Sequence, residues 1–277
     1  TLTLSNITTA QSGTYQAQLT NSCGVTNSDP ATLTVNSTPV VNTSPANQAG
    51  CVGSSVSFTA NANSALGHTT QWQVSSNGGA VFTSIAGETT GTLTLTNIQV
   101  GQSGNQYRAV FANSCGSTAS GVAVLTVNTI PVVTSQPANA TACEGTIVSF
   151  VAAATGTPTP AISWEVSTNA GTTWTSIAGA TTGTLSISSV SASQNGNQYR
   201  AVFSNTCGTV MSNAATLNVN TSPIVTTQPQ GQTACESNAV TFTATATSVP
   251  APAVQWQVSV GTSGTWTNVP GATLNSL

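Results

Sequence analysis

Lysine is absent from this 277-residue sequence, Arg108 and Arg200 are its only basic residues, and His68 is its only histidine. The acids are Asp29, Glu88, Glu144, Glu165 and Glu236, so charged residues make up 3% of the chain. An ordinary soluble domain carries roughly a quarter. Two arginines cannot neutralise a phosphate backbone, which excludes nucleic acid as a partner. The same shortage excludes attraction to an anionic membrane surface. No apolar stretch approaches the roughly 18 residues that a bilayer span needs, so no membrane insertion is expected. Catalysis needs a poised acid, base, nucleophile or metal. One histidine, no lysine and isolated carboxylates assemble no such constellation, and the chain is not expected to be an enzyme. Zinc wants clustered Cys and His ligands, and calcium wants several carboxylates together. The cysteines and acids here are scattered, so neither a metal nor a cofactor is expected.

What the chain has is a period. Cys51, Cys143 and Cys235 stand 92 residues apart, and so do Cys23, Cys115 and Cys207. Tyr15, Tyr107 and Tyr199 keep the same step, as do Trp72, Trp164 and Trp256. Self-similarity at a fixed period means an array of equivalent structural units. Thr1-Leu2-Thr3-Leu4 matches Thr92-Leu93-Thr94-Leu95, one residue short of the full step, and Leu277 matches Leu185. The expectation is a section of a longer array. Arrays of near-copies suit mechanical or adhesive work, because catalysis gains little from repeating a scaffold.

Within each period the apolar residues alternate. Val148, Phe150 and Ala152 are separated by small residues, as are Leu185 and Ile187, the pattern of half-buried strands. Strands are predicted near 147–153, 161–167, 173–177, 184–188, 198–204 and 210–219. Nothing sustains a 3.6-residue period. Many short strands at this spacing predict an all-β tandem array of β-sandwich domains. The joints recur as Val35-Asn36-Ser37-Thr38-Pro39, Val127-Asn128-Thr129-Ile130-Pro131 and Val219-Asn220-Thr221-Ser222-Pro223. Proline cannot donate to a ladder and stiffens an extended linker. Complete domains are therefore placed at 38–129 and 130–221, with a C-terminal half-domain at 1–37 and an N-terminal half-domain at 222–277.

The residues around Trp164 and the run Gln194-Asn195-Gly196-Asn197-Gln198-Tyr199-Arg200-Ala201 resemble the immunoglobulin fold. There a tryptophan on strand C packs on a disulfide between strands B and F, and a tyrosine sits two residues before the second cysteine. The resemblance makes Trp72, Trp164, Trp256, Tyr15, Tyr107 and Tyr199 core residues. Alanines fill the usual cysteine positions, Ala152 with Ala201 and Ala60 with Ala109, so the six cysteines serve elsewhere. Two cysteine registers point to disulfides and an oxidising compartment, the alternative being buried free thiols. Gln71-Trp72-Gln73-Val74-Ser75, Thr172-Thr173-Trp174-Thr175-Ser176-Ile177 and Ala142-Cys143-Glu144-Gly145 further resemble the repeats of giant Bacteroidota surface proteins. That likeness covers the whole sequence. It implies type IX secretion, an extracellular, cell-surface-attached location, and work as adhesin, stalk or filament, the fibre of the grappling hooks of filamentous predators included.

The same resemblance implies where the cysteines reach. In an immunoglobulin sandwich the A–B turn (Cys143) lies where strand G leaves for the next domain, and the F–G turn (Cys207) lies at the opposite end. A ten-residue strand separates those ends by roughly 30 Å, whereas a disulfide wants Cα atoms within about 7 Å. Pairing across the joint is the alternative, which joins Cys51 to Cys207. Cys23, Cys115, Cys143 and Cys235 would then find partners in neighbouring repeats outside this sequence.

Outward of the core, Glu165 and Arg200 are expected to pair across strands C and F, with Gln73 facing Arg108 in the preceding repeat. Phe82, Trp174 and Trp266 fall near strand C′, read as covering the sheet edge rather than stacking on sugars. A net charge of −3 repels neighbouring molecules weakly. Few charges guard the sheet edges, so other copies of the same chain are expected as lateral partners in a homo-oligomeric filament. The leading functional expectation is a disulfide-stiffened surface fibre or stalk used for attachment. A carbohydrate- or host-surface-binding module is the alternative, with any adhesive target elsewhere in the protein.

Overall fold

A computed structural model describes residues 1–261 and 264–276; Leu277, matched above to Leu185, lies outside the described residues. The chain divides into two compact units, residues 1–129 and 130–277. Both are all-β, and among the described residues the only helical turns are 3-10 turns at Thr9–Gln11, Val100–Gln102 and Ala192–Gln194.

The first unit opens with β1 (Gly13–Tyr15), β2 (Gln18–Asn21), β3 (Gly24–Asn27) and β4 (Ala31–Leu33), where β1 pairs with β4 and β2 with β3. A two-layer sandwich follows. In one layer β5 (Val40–Thr43) pairs with β8 (Asn61–Asn63), and β7 (Val56–Thr59) pairs with β11 (Thr92–Leu95). The other layer runs β10 (Thr83–Ser84), β9 (Thr69–Ser75), β12 (Gln106–Asn113) and β14 (Ala123–Ser135). β13 (Gly116–Ala119) also pairs with β12, and β6 (Gln48–Cys51) lies parallel to β14. Strict alternation along β12 sends Tyr107, Ala109 and Phe111 inward and Arg108 and Val110 outward. Trp72 faces Ala109 across the ladder, and both are fully buried.

The second unit repeats this plan. β15 (Ala140–Cys143) runs parallel to β23 (Ala215–Asn220), and β16 (Val148–Val151) pairs with β20 (Thr184–Ile187). β17 (Ala153–Thr157) pairs with β14, whose residues from Ile130 onward belong to this unit. β18 (Ala161–Ser167) pairs with both β19 (Thr175–Ser176) and β21 (Gln198–Asn205), and β22 (Gly208–Met211) follows β21 as a hairpin. β24 (Ile224–Thr227), β25 (Thr245–Thr247), β26 (Gln257–Val258) and β27 (Thr267–Asn268) complete the unit.

The indole of each tryptophan is tied to the same place. Trp72 Nε1 donates to Thr90 O at 2.8 Å, Trp164 Nε1 to Thr182 O at 2.9 Å, and Trp256 Nε1 to Leu274 O at 2.9 Å. Phe58 stacks on Tyr107 and Phe150 on Tyr199, each with centroids 4.9 Å apart. Ala60, Ala109, Ala152 and Ala201 are buried between the layers, so apolar packing takes the place of an inter-sheet disulfide. Tyr15 and Trp256 are half-buried.

Three local readings change. The strand expected over 210–219 is two pieces, β22 and β23. The break lies at Ser212, whose hydroxyl accepts Ala201 N–H at 2.9 Å and donates to Asn213 O at 2.8 Å. The strand expected over 147–153 is interrupted at Ala152, whose N–H goes to Gly183 O. β6 and β15 were not anticipated, and they move Cys51 and Cys143 from a turn to the last residue of a strand.

Candidate functional site

Two places concentrate chemistry in this uncharged chain: the cysteine-bearing turns, and the outer face of the layer built on β9 and β12 or on β18 and β21. The cysteines lie at opposite ends of each sandwich. Cys51 sits opposite Asn128, where β14 leaves the domain, and Cys143 sits opposite Asn220. The following turns are closed by Gly53 (φ +83°) and Gly145 (φ +84°), left-handed conformations that glycine adopts without a Cβ clash. Cys115 and Cys207 occupy two-residue hairpin turns between β12 and β13 and between β21 and β22.

An asparagine shapes each hairpin turn. Asn21, Asn113 and Asn205 use Oδ1 to accept the N–H of Cys23, Cys115 and Cys207 at 2.8, 2.8 and 2.9 Å. The amide of Asn113 donates onward to Ser37 O at 2.8 Å and to Ser64 Oγ at 2.9 Å. Asn205 donates to Pro158 O at 2.9 Å. The β12–β13 turn is thereby held to the segment by which the chain enters its domain. Gly208 agrees, since a Cβ there would stand 3.5 Å from Ile130 Cγ2.

The thiols differ in state. Cys51 and Cys207 are disulfide-bonded, whereas Cys23, Cys115, Cys143 and Cys235 are free and exposed. Cys51 is therefore not bonded to Cys115 of its own sandwich, nor Cys207 to Cys143 of its own.

On the outer face, Arg200 Nε donates to Glu165 Oε2 at 2.8 Å and Nη2 stands 2.8 Å from the same oxygen. Its guanidinium carbon lies 4.1 Å from the centroid of the Trp174 ring. In the first sandwich Arg108 Nε donates to Gln73 Oε1 at 2.9 Å and the guanidinium lies 4.0 Å from the centroid of Phe82. Sequence reasoning found the Glu165–Arg200 and Gln73–Arg108 partners but missed the aromatic stacks. The signal was present, since Phe82 and Trp174 recur at the period of the arginines. Trp266, the third of the series, is 65% exposed. His68 stands edge-on to Phe111 with centroids 5.2 Å apart, a packing role. Tyr107 and Tyr199 titrate above their ordinary value because burial disfavours the phenolate, an effect partly offset by hydrogen bonds to Asn105 and Asn197. Among the described residues no group of three His, Cys, Asp or Glu is placed to hold a metal ion, and no helix is long and apolar enough to cross a membrane.

Architecture and strand pairing define a tandem immunoglobulin-like β-sandwich protein. The solved structure of Sidekick-1 immunoglobulin domains 1-5 is similar over 90% of this chain and 55% of its own, with 19% identity and a TM-score of 0.51. An I-band fragment of titin is similar over 77% of this chain and 76% of its own, with 17% identity and a TM-score of 0.49. The chain belongs to the family described as Domain of unknown function (DUF8696), whose model matches residues 40–129 and again 132–221. Among curated proteins, Endoglucanase C of Cellulomonas fimi is 41% identical over 182 residues, which is 65% of this chain. The match spans only 16% of that enzyme's length.

Proposed function

We propose that the chain is a structural repeat segment of a large extracellular surface protein, a fibre or stalk for attachment whose joints are locked by disulfides. Its repeating units are 38–129 and 130–221, and the lock runs from the end of β6 in one to the β21–β22 turn in the next, Cys51 to Cys207. The observation that carries this reading is the unequal fate of the two thiols in each sandwich: Cys51 is bonded while Cys115 is free, and Cys207 is bonded while Cys143 is free. Chain connectivity supports it. Cys51 lies opposite Asn128, Gly208 lies against Ile130, and Thr129 alone separates those two residues in sequence. On the same reading Cys23, Cys115, Cys143 and Cys235 take partners in further repeats of a longer array.

Catalysis has no part in this function. The one described acid–base couple, Glu165 with Arg200, is consumed by mutual pairing, and His68 packs on Phe111. The Endoglucanase C likeness is taken as a shared accessory module, because it spans so little of that enzyme. A Bacteroidota source, type IX export and a grappling-hook fibre rest on the short sequence runs quoted above. Lateral assembly of copies into a filament follows from the near absence of charge. Negative-stain images of the intact assembly showing single beaded threads about 20–25 Å wide, one sandwich across, would sink that part.

Non-reducing proteolysis with mass spectrometry tests the joint. A peptide pair linking Cys51 to Cys207 is the expected product. A Cys51–Cys115 or Cys143–Cys207 pair overturns it.

A further inference from the structure

Both basic side chains of this chain occupy one repeat position. Arg108 pairs in register with Gln73, and Arg200 with Glu165. Their neighbours Tyr107, Ala109, Tyr199 and Ala201 are buried, so strand alternation turns both arginines to the outer face. Each guanidinium is held over an aromatic ring, at 4.0 Å above Phe82 and 4.1 Å above Trp174. The two sites differ in one atom of consequence. Arg200 meets a carboxylate, and its charge is cancelled within the domain. Arg108 meets the neutral amide oxygen of Gln73 and is in no ion pair among the described residues.

From this difference we propose that Arg108, Gln73 and Phe82 form a carboxylate-binding subsite for an acidic sugar, a uronate-bearing glycan, and that the sister site at Arg200 is closed by its own Glu165. The guanidinium is ordered before any ligand arrives. Stacking on Phe82 and the Nε bond to Gln73 fix its plane, so little side-chain entropy remains to be lost on binding. Among the described residues no buried side-chain nitrogen lacks a partner, and the Nη donors of half-buried Arg108 have no partner there, so they face solvent. Those donors form the fork that a carboxylate accepts in bidentate fashion. The rim of Phe82 beside them offers the apolar contact that sugar C–H groups seek, the combination of one aromatic and a few placed polar groups found in ligand sites. A single cation engages one carboxylate of such a glycan at a time. A phosphate polymer needs several cations together. One such site binds weakly, and presentation of many along a surface array raises the avidity.

The test exchanges the two sites within the 277-residue chain. Titration calorimetry is run with an oligogalacturonate and with the neutral galactose oligomer of equal length. The wild-type chain is expected to bind one acidic oligomer and to prefer it over the neutral one by about tenfold, the worth of one charge-assisted pair. Gln73→Glu reproduces the pairing that the second sandwich already tolerates, so it folds, and it is expected to abolish that preference. Glu165→Gln is expected to open Arg200 and raise the stoichiometry from one site to two. Equal binding of acidic and neutral oligomers overturns the proposal, as does a Gln73→Glu chain that binds like wild type. Sedimentation of the same samples separates a second source of carboxylate. Self-association of the chain that disappears in Gln73→Glu, without sugar binding in wild type, also overturns it.

Discussion

Ser212 shows how much a single hydroxyl decides in a β-protein with few charges. Its Oγ takes the N–H of buried Ala201 at the point where β22 ends and β23 has not begun, and Ser120 does the same for Ala109 at 3.0 Å. Replacing either serine by alanine leaves a buried donor unpaired, which costs about 1–3 kcal/mol. Ser212→Ala is therefore expected to lower the urea midpoint of the second sandwich and leave the first unchanged, as followed by amide hydrogen exchange resolved to each sandwich. A hydroxyl midpoint shift below about 0.3 kcal/mol would count against the role. The serine was legible only as a repeated letter, at positions 28, 120 and 212. Its alternation with Val210 and Ala214 fits a continuous strand, and only the ladder shows that the backbone leaves it there. The inward tryptophans, by contrast, were legible because a large apolar residue inside an alternating run has one face on which to go.

At the scale of elements, the sandwich core tolerates exchange between repeats when volume is conserved. A Cβ on Gly50 of β6 would meet Ser54 Oγ and Val56 Cγ1 at 2.8 Å and Ile98 Cδ1 at 2.9 Å. The equivalent of Gly50 in the next repeat is Ala142, and the equivalent of Ile98 is Val190. One methyl has moved from one element to another. Gly50→Ala alone is expected to destabilise the first sandwich by about 1–3 kcal/mol through overpacking. Ile98→Val alone should cost about 0.5–1.5 kcal/mol, and the double variant should recover most of the first loss. A double-mutant cycle in urea measures the coupling, and strictly additive effects would refute the exchange. β6 and β15 themselves escaped the sequence reading because Gln48–Cys51 and Ala140–Cys143 carry no large apolar residue. Parallel pairing at a sheet edge needs backbone groups more than side chains, and so leaves little trace in the letters.

For the whole molecule, the proposed Cys51–Cys207 bond encloses residues 52–206, most of both sandwiches. Tension applied to the ends of the chain then crosses the bond instead of that enclosed length. Stretched singly under oxidising conditions, the chain is expected to show no domain-sized lengthening from residues 38–221. After reduction it should show two, each of roughly 300 Å at the ~3.3–3.6 Å an extended residue spans. Domain-sized steps of equal number before and after reduction would contradict the covalent joint. The 92-residue period announced the array, and it also announced the cysteines. The period names no partners by itself, and the two cysteines within one sandwich lie at its opposite ends.

Once such a bond is reduced, the edge pairing of β6 with β14 acquires a second meaning. Gln48 lies beside Leu125 and Cys51 beside Asn128, so the two strands point the same way. Pulling the chain by its ends draws β6 back by its first residue and β14 forward past Asn128. Their hydrogen bonds then lie across the line of pull and must slide together in shear, whereas an antiparallel hairpin opens one bond at a time like a zipper. Four residue pairs, placed by a strand with hardly a side chain to recommend it, become the latch that sets how hard each sandwich resists.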